Sequence, residues 1–103
     1  MNKWTYEEVL LALYAYLHVP FNEASNKHPW IVKIAKIIGR SPAAVKMKIG
    51  NFGSLDPKLK SSNISGLTNI SKLDELVWNE YFNRWDDLKR DAEKLIFEKG
   101  VDK

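Results

Sequence analysis

Residues 28–52 read HPWIVKIAKIIGRSPAAVKMKIGNF, which contains two apolar helical patterns separated by a short polar break. The first pattern places four apolar residues on one helix face: Ile31, Ile34, Ala35 and Ile38. Gly39 is typical of a residue that ends a helix, and Ser41 before Pro42 is typical of a helix start. The stretch therefore predicts two helices joined by a tight turn.

The two predicted helices, residues 29–38 and 41–52, each have a core side and an outer side. In the first helix, Lys33 and Lys36 fall outside the apolar stripe and face solvent or a ligand. In the second helix, the core side is predicted to consist of Ala44, Val45, Ile49 and Phe52. The opposite side is predicted to consist of Lys46, Met47, Gly50 and Asn51.

Positive charge is concentrated in the same part of the chain. Residues 27–60 contain eight of the sixteen Lys and Arg residues and a single acidic residue, Asp56, so their formal charge is +7 against +3 for the whole chain. Residues 1–60 carry nine basic and four acidic groups, whereas residues 61–103 carry seven and nine. This division predicts that the first part contacts a polyanion. The alternative is a lysine-rich surface that is merely solvated.

Helix signals also occur on either side of this pair. Thr5, followed three residues later by Glu8, forms a capping-box pattern, and the helix it starts is predicted to end before Pro20. Residues 53–70 predict a loop with one helical turn near 57–60. Residues 71–100 predict one long amphipathic helix. It either bends or breaks around Asn83, or it projects, because a helix of about 28 residues spans roughly 42 Å.

The predicted fold class is all-α, and we expect the chain to form one domain. Residues 1–60 form a three-helix helix-turn-helix core, and residues 61–103 form a loop and a long C-terminal helix that packs on it. A chain of 103 residues can bury a sufficient core without the disulfide or Cys-based metal staples that its lack of cysteine excludes. No segment approaches the ~20 apolar residues of a membrane span, so we expect a cytoplasmic protein.

Patterns that indicate catalysis or metal binding are weak. Two carboxylate pairs, at residues 7–8 and 74–75, lie in first helical turns, where capping and the helix dipole explain them. His18 and His28 are interpreted as residues of helix ends. We therefore expect no enzymatic activity, no metal site and no cofactor.

The first 52 residues resemble the Myb/SANT arrangement of three helices. The opening Trp4-Thr5-Tyr6-Glu7-Glu8 is similar to the start of the family's first helix, and Arg40-Ser41 is similar to the start of its recognition helix. Trp30 and Ile34-Ala35 resemble the second helix. Where the family has a third tryptophan, this chain has Ile49.

Nearly the whole chain is similar to the N-terminal domain of bacterial HNH restriction-type endonucleases. The main block is Gly39-Arg40-Ser41-Pro42-x-Ala44-Val45-x-Met47-Lys48-x-Gly50-Asn51-Phe52, followed by Ser54-Leu55-Asp56-Pro57. Shorter similarities are Trp4-Thr5-x-Glu7-Glu8, Pro20-Phe21, Gly66-Leu67, and Ser71-Lys72-Leu73-Asp74 with Trp78. In those enzymes the domain precedes a nuclease domain. The resemblance therefore implies a DNA-recognition domain without its catalytic part.

The Myb-like pattern places a candidate DNA-binding site on the third helix. Its base-reading residues would be Lys46, Met47, Gly50 and Asn51. Lys46 can donate to guanine, Asn51 can pair with adenine, and Met47 can contact a base methyl group. The phosphate backbone would be held by Lys33, Lys36, Arg40, Ser41 and Lys48. Further non-specific attraction would come from Lys27, Lys58 and Lys60.

Double-stranded DNA is thus the predicted partner, and a protein is the alternative. SANT-like domains can bind protein, so the chain can also be a protein-interaction module, such as a phage-encoded inhibitor of a host defence protein. An exposed patch of Trp78, Phe82 and Trp85 would then contact the partner. The same C-terminal helix would serve for a homodimer.

Overall fold

The computed structural model describes residues 3–20, 23–60 and 70–99. Within these residues the chain forms five helices of ten or more residues and one helical turn. They are α1 Tyr6–His18, α2 Pro29–Ile38, α3 Pro42–Leu55, α4 Pro57–Lys60, α5 Lys72–Tyr81 and α6 Trp85–Glu98. The all-α prediction is confirmed, since the described residues contain no strand. None of the helices described is both long and apolar enough to cross a bilayer. The predictions for residues 21–22, 61–69 and 100 lie outside the described residues.

α1 lies at the centre of the molecule. It starts with the predicted capping box: Thr5 Oγ1 accepts a hydrogen bond from the Glu8 N–H at 3.2 Å, and Glu8 Oε1 accepts one from the Thr5 N–H at 3.0 Å. All residues from 9 to 15 are buried, so the middle of α1 has no solvent side. The helices α2, α3, α5 and α6 pack around it.

α2 and α3 are joined by the predicted tight turn. Gly39 ends α2 with a φ of +75°, a left-handed conformation that favours glycine. Its N–H and that of Arg40 both donate to the Ala35 carbonyl. Ser41 then caps α3, because its hydroxyl oxygen accepts from the Ala44 N–H at 3.2 Å.

α3 is longer than predicted. It continues to Leu55, although Gly53 and Ser54 had indicated a loop. A glycine inside a helix loses only about 0.5–1 kcal/mol relative to alanine, and the buried contacts of the neighbouring Phe52 are large enough to offset that loss. The helix ends where the Asp56 N–H donates to the Phe52 carbonyl, and the predicted turn at 57–60 follows as α4.

The prediction of one long C-terminal helix is wrong, and the break left open at Asn83 is confirmed. Asn83 has a φ of +62°, which ends the helical path between α5 and α6. Arg84 stabilises the corner: its Nη1 donates to the Glu80 carbonyl and its Nε donates to Asp87 Oδ2, both at 3.0 Å.

This break lets α5 and α6 fold back over α1 instead of projecting, and the molecule measures 40 × 27 × 26 Å. Five buried residues of α5 and α6 belong to the same core as α1: Val77, Trp78, Tyr81, Leu88 and Ala92. Burying a large apolar side chain stabilises the fold by about 1.5–3 kcal/mol. The C-terminal helices are therefore part of the core.

Candidate nucleic-acid interface

The exposed side of α3 carries four residues that we call the outer α3 face: Ala43, Lys46, Met47 and Gly50. They recur at intervals of three or four, so they lie on one side of the helix, opposite Val45 and Ile49. Met47 is 61% exposed, and Gly50 is half-buried. Three of the four predicted base-reading residues thus lie together. Ala43 was not predicted, although the same spacing would have indicated it.

Asn51, the fourth predicted base-reading residue, does not lie on this face. It is 6% exposed, and its Nδ2 donates to Asp74 Oδ2 at 3.0 Å. The prediction that Asn51 points outward is wrong, because α5 packs against that side of α3. An amide buried and bonded in this way has no access to a base edge.

Lys48, predicted to contact phosphate, also points towards α5. Its Nζ lies 2.8 and 3.1 Å from the two carboxylate oxygens of Asp74, which is fully buried. Asp74 Oδ2 further accepts from the Ser71 N–H at 3.3 Å and so closes the capping box of α5. The Lys48 charge therefore fastens α5 to α3, and the prediction that it faces a phosphate is wrong.

Arg40, another predicted phosphate contact, holds the N-terminal segment. Its Nε and Nη2 donate to Glu8 Oε1 at 3.2 and 2.9 Å, and Nη2 also donates to the Lys3 carbonyl. Its guanidinium lies 4.5 Å from the centre of the Trp4 ring, and the Lys48 ammonium lies 4.9 Å from the same ring. These contacts make Arg40 a structural residue in this conformation.

This contact also affects the pKa of the Glu8 carboxylate. Burial alone would raise its pKa, but hydrogen bonds from the Thr5 N–H and the Arg40 guanidinium outweigh burial and lower the pKa below its usual value. Glu8 thus stays ionised and keeps the Arg40 charge neutralised at neutral pH. Of the +7 formal charge of residues 27–60, two charges are therefore paired with carboxylates outside that segment, those of Glu8 and Asp74.

Two lysines beside the turn direct their ammonium groups to solvent. Lys36 and Lys46 are exposed, and neither makes a hydrogen bond or ion pair with any residue that the structure describes. Lys33 is half-buried, with its ammonium 4.9 Å from the centre of the Trp30 ring. The Ser41 hydroxyl is engaged as the cap of α3, although the residue itself is exposed.

The aromatic patch predicted for a protein partner is largely internal. Trp78 is only 5% exposed and stacks on Phe52, so its prediction as a surface residue is wrong. Trp85 is half-buried, and Phe82 is 37% exposed. The most exposed large apolar side chains of the C-terminal helices are instead Leu76 and Phe97.

Metal-ligating side chains do not converge in the part of the chain that is described: it contains no group of three or more His, Asp or Glu residues able to hold an ion. Comparison with known proteins identifies no relative, since no protein-family model, curated protein or solved structure matches the chain. The resemblances to HNH endonuclease and Myb-like domains therefore remain predictions from the sequence.

Proposed function

We propose that this protein is a double-stranded DNA-binding domain. The outer α3 face would enter the major groove, while lysines of α2 and α3 contact the backbone. The observation that carries the proposal is that Lys46, Met47 and Gly50 share one face of the helix that follows the tight turn, with Lys46 and Met47 exposed. A recognition helix presents its side chains to base edges in this way.

The charge around this face supports the proposal. Residues 29–55 contain five basic residues and no acidic residue. Although Arg40 and Lys48 are paired internally, Lys36 and Lys46 direct their charges to solvent. A phosphate backbone placed across α2 and α3 would meet these ammonium groups without an opposing carboxylate on either helix.

Recognition of the DNA sequence would depend on fewer side chains than the amino-acid sequence predicts. Lys46 can donate to guanine O6 or N7, and Met47 can pack against a base methyl group. Gly50 and Ala43 have small side chains, so the helix backbone can approach the bases closely. We further propose that the three N-terminal helices are Myb-like and that the domain belongs to a restriction-type HNH enzyme, without its nuclease part.

The test of the proposal is to measure binding of a 20-base-pair duplex across a salt series. Fluorescence anisotropy of a labelled duplex reports the binding. Phosphate contacts release counterions, so contacts from Lys36 and Lys46 should give log K against log salt a slope of about −2. Absence of binding at low salt, or a flat slope, would reject the proposal.

Charge reversal tests which surface of the protein binds the duplex. The variant K36E/K46E should lose binding at every salt concentration, whereas K89E/K94E, which changes the net charge equally on exposed positions of α6, should bind as the native protein does. Arg40 and Lys48 are unsuitable for this test because their replacement would damage the fold. Equal loss in both variants would show only a general effect of charge.

A protein-interaction module is the second candidate, and the exposure of Leu76 and Phe97, at 54% and 81%, favours it. The partner would be a host defence protein or a second copy of the chain. Sedimentation velocity over a concentration series would detect a homodimer, and L76E should dissociate it. In this case K36E/K46E would leave the association intact.

A further inference from the structure

A cavity of about 450 Å³ lies where the end of α1, the junction of α3 and α4, and the break between α5 and α6 meet. Its volume falls within the roughly 300–1,000 Å³ of small-molecule sites. Its lining includes Tyr16, Leu17, Asp56, Lys58, Phe82 and Trp85. Neither the outer α3 face nor the lysines of α2 contribute to its lining.

One wall of the cavity is aromatic. Phe82 and Trp85 meet edge to face, with ring centres 5.9 Å apart and planes at 88°. Trp78 contacts both rings, at 5.6 and 5.5 Å, and so fixes them in place. Phe82 remains 37% exposed. A planar guest can therefore stack on a preformed wall, as nucleic-acid bases do on aromatic side chains.

Asp56 is one of the polar residues that line the cavity, and its carboxylate is held in a fixed orientation. Its Oδ2 accepts from the Tyr16 hydroxyl at 2.6 Å, and its Oδ1 accepts from the Lys58 N–H at 3.0 Å. A carboxylate has about four acceptor positions, so each oxygen retains capacity for one more donor. A guest with two adjacent N–H groups would donate one hydrogen bond to each of the two carboxylate oxygens.

We propose that this cavity binds a guanine base, stacked on Phe82 or Trp85 and hydrogen-bonded to Asp56. Guanine is the only DNA base whose pairing edge presents two adjacent donors, N1–H and N2–H₂, which match the two oxygens of a carboxylate. Adenine and cytosine place an acceptor beside their amino group. The single N–H of thymine lies between two carbonyl oxygens, which the carboxylate repels. The guanine can come from a free nucleotide or from an unpaired position in DNA.

The test is a titration of the intact ¹⁵N-labelled protein with dGMP, dIMP and dTMP, followed by NMR. The dGMP should shift the Trp85 indole N–H and the Phe82 and Asn83 amides in a saturable way. The dIMP, which lacks only the 2-amino group, should bind about tenfold more weakly, because one charge-assisted hydrogen bond is lost. The dTMP should bind more weakly still.

Equal shifts with dGMP, dIMP and dTMP, or shifts confined to the lysines of α2 and α3, would overturn the proposal. Phe82→Ala and Asp56→Asn should each weaken dGMP binding at least tenfold, but the nucleotide comparison on the native protein decides the matter even if a variant fails to fold. K36E/K46E should bind dGMP normally, so failure of the DNA-binding proposal would not affect this result. A duplex with one bulged guanine, compared with a bulged thymine, distinguishes a DNA source from a free nucleotide.

Discussion

Asp74 is the residue that joins α3 to α5. Its buried carboxylate accepts hydrogen bonds from Lys48, Asn51 and the Ser71 N–H. Asp74→Ala would leave the Lys48 ammonium without its partner, at 12% exposure of that side chain, and would remove the capping box of α5. Removing one member of a buried pair costs about 3–5 kcal/mol. We expect a loss of this size in the free energy of unfolding by urea.

The neighbouring Glu75→Ala provides the matched control. Glu75 also lies in the first turn of α5, but it is exposed and outside this network, so its loss should change stability by no more than about 0.5 kcal/mol. The double variant K48M/D74L should recover part of the stability that D74A loses, because it removes both charges together. If D74A and E75A proved equally mild, Asp74 would not fasten α5 to α3.

We expect His18 to make the stability of the fold depend on pH. Its ring stacks on Trp30 with centres 4.0 Å apart, and its Nε2 is buried without a hydrogen-bond partner among the described residues. Burial lowers the pKa of His18, and the charges of Lys89 and Lys33 lower it further, while that of Glu93 opposes them.

A histidine whose pKa is lowered on folding stabilises the fold only while it is neutral. This stabilisation is complete above the unfolded pKa of about 6.5 and is lost as the pH falls below that value. Urea unfolding at pH 7.5 and 5.5 should therefore show the native protein losing stability between the two. His18→Gln, which cannot be protonated, should lose less. An identical loss in both proteins would exclude His18 as the cause.

At the scale of the elements, the corner between α5 and α6 depends on the left-handed backbone of Asn83. Glycine adopts this conformation without strain, whereas a β-branched residue opposes it, at about 1–2 kcal/mol. Asn83→Gly should therefore leave the melting temperature close to that of the native protein, and Asn83→Val should lower it. The reverse order would mean that the corner is held by other contacts. Duplex binding should be the same in both variants.

The elements that the sequence predicts well are those whose signals are local. The capping box of Thr5 and Glu8 and the turn from Gly39 to Ser41 each involve residues within four positions of one another. The orientation of Lys48 and Asn51 depends on Asp74, which lies 26 and 23 residues away. Periodicity in α3 alone cannot reveal that α5 covers one side of it.

The same difference between local and long-range signals applies to the residues of the candidate site. Lys46 and Met47 point away from the core by helical spacing alone, and they lie where the sequence predicts. Arg40 is engaged because Glu8, 32 residues earlier in the chain, reaches it across the fold. A count of positive charge overestimates the basic surface, since it cannot identify the carboxylates that tertiary packing brings to each cation.

At the scale of the whole molecule, α1 is buried on all sides through its middle, and α5 and α6 provide part of that cover. Val77 and Leu88, both fully buried, belong to these two helices. A fragment of residues 1–60 would expose the apolar side of α1 that they cover, at about 25 cal/mol for each Å² returned to water. The three N-terminal helices would also lose the Asp74 contact to α3.

We therefore expect the 1–60 fragment to unfold without a cooperative transition, whereas the full chain should unfold cooperatively. Thermal unfolding followed by near-ultraviolet circular dichroism measures this, because the aromatic signal requires fixed packing. Addition of a peptide of residues 70–103 should restore the signal, and the same peptide with V77D should not, because it would place a charge in the core. If the fragment folded cooperatively alone, α5 and α6 would be an accessory layer, and the helix-turn-helix would be an independent domain.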